Sequence, residues 1–272
     1  MIAFAANSLL CRKALGADLI DAGSFASLRT AAGALTLTAI LAARGGLRGL
    51  IGNHWRTGAM LFSYMVFFSF AYRSIGAGTG ALILFGAVQM TMFVAALRSG
   101  EAFSPISWGG LALAVAGLVY LVSPGIAAPD PLAALLMAVA GIAWGFYSLL
   151  GRAAADPLTA TAGAFVAALP AVLAVGTTAG ALNGFHIDTT GALLAVASGA
   201  VASGCGYVVW YAALRGLTAA RAAIVQLSVP VIAAFGGVIF IGEEITLRLI
   251  IASVATLGGV AIVLAQRNAK RA

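Results

Sequence analysis

Apolar residues run in stretches of about 20 along almost the whole chain, separated by short breaks rich in charge, glycine and proline. Crossing about 30 Å of hydrocarbon at about 1.5 Å per residue takes roughly 20 residues, so each stretch has the length of a transmembrane helix. Ten such helices are expected, at 2–15, 22–43, 57–72, 78–97, 106–122, 132–151, 158–180, 190–214, 219–241 and 248–265. The breaks carry turn and capping residues, among them Asp130-Pro131, Asp156-Pro157 and Gly242-Glu243-Glu244. The alternation of a membrane β-barrel is absent. The pattern therefore predicts an all-α polytopic membrane protein.

The second half repeats the first. A shift of 140 residues lays Ser8-Leu9-Leu10-Cys11-Arg12 on Ser148-Leu149-Leu150-Gly151-Arg152 and Phe4-Ala5 on Trp144-Gly145. A shift of 142 lays Gly100-Glu101-Ala102-Phe103-Ser104 on Gly242-Glu243-Glu244-Ile245-Thr246, Gly117 on Gly259 and Arg73 on Arg215. Two five-helix units follow, 1–126 and 127–272. An odd number of spans per unit makes the second copy enter the bilayer from the opposite face. Inverted repeats of this kind are a recurrent plan of secondary transporters, with substrate bound near the midplane in a central cavity between the halves. The sixth span begins near Leu132, so its counterpart would begin about eight residues before Met1. Helix 1 is expected either to be preceded by further residues or to stop short of the headgroups.

Composition supports the same solvent. Apolar residues make up 62% and charged residues 8% of the chain, against about 25% charged in a soluble domain. The formal charge of +7 is scattered singly around span ends, which argues against nucleic acid. One face carries Arg44, Arg48, Arg56, Arg98, Arg152, Arg215, Arg221, Arg267, Lys270 and Arg271; the other carries Arg12, Lys13, Arg73 and Arg248. This bias puts both termini in the cytoplasm. Arg12 and Lys13 follow the first apolar stretch instead of preceding it, so no cleavable signal is expected. Cys11 and Cys205 lack metal or redox spacing and read as packing residues. His54 and His186 fall in loops on opposite faces with no triad partners, so an enzyme is not expected. No cofactor or metal is expected either. A non-transporting sensor or scaffold is the alternative class.

The chain resembles the drug/metabolite transporter superfamily in its EamA-type branch. The carrying residues are Trp144-Gly145 in helix 6, the Gly-Glu-x-Phe/Ile-Ser/Thr turns before helices 5 and 10, Pro230 in helix 9 and the glycine pairs of the closing helices. Within that branch it is most similar to the YddG-type exporters of aromatic and other neutral amino acids. Phe4-Ala5 replaces the usual Trp-Gly of helix 1. Alternating-access transport of small neutral or zwitterionic metabolites is expected, by a monomer in a bacterial inner membrane, and export of aromatic and other neutral amino acids is what the resemblance adds. Another metabolite or a drug-like compound is the competing cargo.

Substrate meets an asymmetric cavity, so polar residues that the repeat does not match are the better site candidates. Glu101 and Glu243 are matched, and each is expected to offset the dipole of the helix it precedes, worth about 0.3–1 kcal/mol, with gating as the alternative. Arg73 and Arg215 recur as end anchors. Arg29 is unmatched and lies about 10 Å into helix 2; snorkelling to the near interface is expected, and a substrate-carboxylate role is the alternative. The candidate substrate-binding set is Asn7, Tyr64, Gln89, Trp144, Tyr147, Tyr207, Gln226 and Ser228, with Ser8, Thr91, Ser148, Trp210 and Tyr211 beside it. Interhelical hydrogen bonds of about 0.6 kcal/mol each are the structural alternative. Tyr72, Tyr120 and Trp108 suit the interface belts. Pro230 is expected to break helix 9 beside Gln226 and Ser228, freeing backbone groups near mid-membrane. No carboxylate falls inside a predicted span, which points to gradient-driven rather than proton-coupled flux.

Overall fold

The computed structural model describes residues 1–125, 127–151, 154, 156–214 and 225–269, without the side chains of 211–214 and 267–269. Its helices are α1 (Ile2–Gly16), α2 (Ala22–Ala43), α3 (Trp55–Ala71), α4 (Ala77–Arg98), α5 (Pro105–Val122), α6 (Pro131–Gly151) and α7 (Pro157–Asn183). There follow α8 (Thr189–Ala197), a π-helical segment (Ser198–Cys205), α9 (Gly206–Leu214), α10 (Ser228–Ile241) and α11 (Leu247–Ala269). Among the described residues, seven are long and apolar enough to cross a membrane, counting Thr189–Trp210 as one. Helices α1 and α3 have 15 and 17 residues, and of the expected 219–241 span α10 describes 14 residues, positions 219–224 lying outside the described residues.

Local chemistry sets the boundaries. Asp21, Asp130, Asp156 and Asp188 each accept a backbone N–H at the start of a helix, at 2.8, 2.7, 3.1 and 3.2 Å. Such caps satisfy donors that have no partner within the helix. Pro105 and Pro157 occupy first-turn positions, where the missing N–H costs nothing. Gly242 ends α10 in the left-handed region at φ 77°. Helix α7 runs past the expected 180 to Asn183 and tolerates Pro170 in its interior.

The packing pairs are α5 with α11, α2 with α7, α3 with α6 and α7, α4 with α6 and α10, α1 with α10, and the π segment with α1 and α2. Small residues permit the closest crossings. A Cβ on Gly23 would meet the Gly176 Cα at 2.9 Å, and one on Gly110 would meet the Gly259 carbonyl oxygen at 2.7 Å. Without a hydrophobic force between helices in lipid, such backbone approach is what dispersion and weak polar contacts need. Large apolar side chains such as Val119, Phe235, Ile239 and Val254 remain on the outside, as lipid contact requires.

The loop between α1 and α2 pairs with the loop between α7 and α8. Ile20 and Ile187 form an antiparallel bridge, and the Asp21 and Asp188 N–H groups donate to the His186 and Leu19 carbonyls at 2.8 Å each.

Candidate functional site

One face of α1 organises the centre of the molecule. Phe4, Asn7, Ser8 and Cys11 follow at helical spacing and are all buried. Phe4 meets Trp144, Tyr207 and Trp210 edge-on, with centroids 6.0, 5.9 and 5.8 Å away. Trp144 in turn lies 4.9 Å from Tyr64, 5.2 Å from Tyr207 and 5.3 Å from Tyr147. Phe4, Asn7, Ser8, Tyr64, Phe68, Leu84, Phe85, Trp144, Ala202 and Tyr207 line the space these rings leave.

That space is about 10 Å³, room for roughly one water. Among the described residues the expected solvent-reachable cavity is therefore closed here, because six aromatic rings crowd it. An organic substrate fits only after rings separate.

The polar wall of this space is a continuous hydrogen-bonded chain. Ser198 Oγ donates to Asn7 Oδ1 at 2.6 Å, and Asn7 Nδ2 donates to the Tyr64 hydroxyl oxygen at 3.1 Å. Arg29 Nη2 donates to the same oxygen at 3.0 Å, and Nη1 lies 3.9 Å from Cys11 Sγ. The guanidinium also stacks over the Tyr64 and Phe68 rings, 5.2 and 4.7 Å from their centroids.

Arg29 overturns the snorkelling expectation. Its exposure is 0%. Gly199 lets the π segment press against the Arg29 carbonyl, and the side chain turns inward to the α3 rings instead of toward water. Its Nε has no partner among the described residues. All eight acidic residues, Asp18, Asp21, Glu101, Asp130, Asp156, Asp188, Glu243 and Glu244, lie in loops or at helix caps, and none pairs with it.

A second cluster sits at the end of α1. Arg12 Nε and Glu243 Oε1 form a salt bridge at 2.8 Å, and Arg12 Nη1 donates to the Tyr72 and Arg73 carbonyls at 3.2 and 3.1 Å. Glu243 Oε2 accepts the Ala77 N–H at 2.8 Å. The expectation that Glu243 serves the helix it precedes is thus corrected. Its carboxylate caps α4, while Thr246 Oγ1 caps α11 through the Leu249 N–H at 3.1 Å. A polar opening of about 220 Å³ lies beside it, lined by Arg12, Thr79, Glu243 and Glu244. Glu101 lies in the matching turn, partly exposed, and there Ser104 Oγ takes the cap by accepting the Ser107 N–H at 3.2 Å.

Of the sequence candidates, the structure brings together Asn7, Tyr64, Trp144, Tyr147 and Tyr207. Gln89 faces a different gap of about 20 Å³ among Met90, Phe93, Ala114 and Val260. Ser228 Oγ turns back to the Val225 carbonyl at 2.7 Å, and Ser148 Oγ likewise turns to Trp144. Gln226 is half-buried just before a break at Leu227. Pro230 is the third residue of α10, where no N–H donor is needed, so it follows the interruption rather than kinking a continuous helix. Arg152, Arg215, Arg221, Lys270, Arg271 and the side chains of Tyr211 and Arg267 lie outside the described residues.

Sequence reasoning missed Phe4, Cys11 and Ser198 as site residues. Ser198 opens the π segment, a local widening frequent at functional sites. The Ser-Gly pairs at 198–199 and 203–204 were its only sequence trace.

Residues 131–265 match the EamA-like transporter family. An uncharacterized protein of Pseudomonas aeruginosa is 48% identical over 276 residues, spanning 100% of this chain and 94% of its own length. An uncharacterized transporter of Archaeoglobus fulgidus is 26% identical over 208 residues, spanning 75% of this chain and 74% of its own. A protein of known crystal structure superposes with a TM-score of 0.67 at 20% identity, covering 98% of this chain and 96% of its own, and that likeness bears on the fold alone.

Proposed function

Because this chain is a membrane protein carrying an EamA-like transporter domain, we propose that it moves small neutral or zwitterionic metabolites, neutral amino acids above all, by alternating access. The moving bodies are two inverted units, 1–126 and 127–272. What supports the repeat is a packing pattern that maps onto itself. Helix α4 packs on α6 as α10 packs on α1, and α3 packs on α6 as the π segment packs on α1. The crossings α2–α7 and α5–α11 are their own counterparts. The scatter of basic residues supports cytoplasmic termini, with the Arg12–Glu243 cluster on the outer side.

The observation that carries the substrate class is the cavity between Phe4, Trp144 and Tyr207. Aromatic faces there suit an apolar side chain, and Asn7, Ser8 and Tyr64 form a hydrogen-bonding end wall. The closed arrangement is read as an occluded state, from which parting of the α1 and α6 rings opens a path. With no carboxylate in the cavity, flux follows the substrate's own gradient, and an imposed proton gradient leaves it unchanged.

The test is flux of labelled phenylalanine, threonine and methionine in proteoliposomes. Trp144→Ala, with fold checked by its elution profile, is expected to slow phenylalanine at least about tenfold, equivalent to about 1.4 kcal/mol. Flux of none of the three would overturn the amino-acid reading. Full flux in Trp144→Ala would remove the cage from the site.

A further inference from the structure

The Tyr64 oxygen accepts two hydrogen bonds, from Asn7 Nδ2 and Arg29 Nη2. Its lone pairs are engaged, so its own O–H remains to be donated. Tyr64 lines the central cavity, and the Asn7 amide lines it too. Behind both stands Arg29, completely buried, with an unpartnered Nε and no acid of the chain to neutralise it.

An isolated buried cation is costly, and intramembrane charges ordinarily pair with one another or face a wet path. Here the chain supplies stacking, a phenol and a thiol, and no anion. We propose that the missing anion belongs to the cargo: the cavity recognises a carboxylate, which takes hydrogen bonds from the Tyr64 hydroxyl and the Asn7 amide while Arg29 supplies the positive charge behind them. This rests on reading the Phe4–Trp144–Tyr207 cavity as the substrate site. It deepens that reading by naming the chemistry of the polar end.

The consequence is a directional preference. A cargo cation alone would meet the field of Arg29 with no acid to offset it. A zwitterion satisfies both ends, its carboxylate at Tyr64 and its ammonium over the face of Trp144 or Tyr207, where a cation is attracted by the ring quadrupole. Arg29 acts through Tyr64 and is a positioning residue. Its guanidinium holds the phenol as a donor and sets the sign of charge the cavity accepts.

The experiment uses four ligands that share a phenyl ring: phenylalanine, phenylacetate, phenylalaninamide and phenethylamine. Thermal stabilisation of the purified full chain in detergent reads binding. Phenylalanine and phenylacetate are expected to reach half-maximal stabilisation at concentrations at least about tenfold below the two compounds lacking a carboxylate. In Arg29→Gln that preference is expected to shrink to about threefold or less, with Arg29→Lys keeping part of it. Tyr64→Phe keeps the ring packing, deletes the donor together with the oxygen that accepts from Asn7 and Arg29, and is expected to lose the preference as well, which covers failure of Arg29→Gln to fold. Equal binding of all four by the wild type, or a carboxylate preference that survives in a folded Arg29→Gln or in Tyr64→Phe, overturns the carboxylate site and leaves the cavity reading standing. Binding of none of the four counts against both.

Discussion

Two arginines on neighbouring helices meet opposite fates. Arg12, at the end of α1, has a carboxylate at 2.8 Å and keeps 23% of its side chain in contact with solvent. Arg29, in α2, has no carboxylate and no exposure. At the mouth the protein supplies its own anion and closes the circuit within the chain. In the interior it leaves a positive site whose partner must come from outside. The first is a holding contact, joining α1, the α3–α4 turn and the start of α4 through Glu243. The second is the recognition element we propose.

The largest expected effect breaks the interior site. Arg29→Met should reduce phenylalanine flux in proteoliposomes by about 100-fold, since loss of an interaction with a buried charge is worth roughly 3 kcal/mol. Its melting temperature should hold or rise, because deleting an unpaired buried charge removes a desolvation cost. A fall in both together would make Arg29 a structural strut.

At the mouth the order of effects reverses. Arg12→Met leaves Glu243 half-buried without its cation, and the expected loss of stability is about 1–2 kcal/mol by chemical denaturation, between the exposed and buried limits. Flux should change less than stability does. The double variant Arg12→Met, Glu243→Gln should recover part of that loss, and strict additivity would mean the pair is not coupled.

The smallest effects are expected where the sequence suggested a site and the structure sends the side chain elsewhere. Gln89→Leu, in the α4–α5–α11 gap, and Ser228→Ala, whose hydroxyl bonds the Val225 carbonyl just before its helix, should alter phenylalanine flux less than about twofold. Bonds of this kind contribute about 0.6 kcal/mol or less. A tenfold loss in Gln89→Leu would move the site toward α5 and α11.

How much of this was legible in the chain divides along physical lines. Spans are written in runs of apolar residues, because lipid imposes that composition on every exposed face. The Asp and Pro boundary residues mark helix starts wherever a backbone donor needs a cap. Tyr64 and Trp144 were findable as polar or aromatic residues toward the middle of their spans, and Asn7 and Tyr207 as members of the same uncharged polar and aromatic set. The orientation of a long side chain was not. Arg29 lies close enough to an interface to snorkel, and only the packing of Gly199 against α2 and of Phe68 under the guanidinium turns it inward. Glu243 shows the same limit. Its spacing to Thr246 suggests service to its own helix, yet the carboxylate crosses to Ala77 because tertiary packing brings the start of α4 within 2.8 Å. The π segment carried no periodic signature, since its extra residue per turn is set by contacts with α1 and α2 rather than by propensity.

The central claim is that the Tyr64 hydroxyl, held as a donor by Asn7 and Arg29, touches the cargo. It is tested most directly by counterflow of labelled phenylalanine in liposomes bearing Tyr64→Phe, which deletes one oxygen and preserves the ring. The account predicts exchange slowed by about tenfold or more in a variant that stays folded, the loss of one charge-assisted hydrogen bond to the cargo of about 1.5–3 kcal/mol. Exchange at the wild-type rate would contradict it.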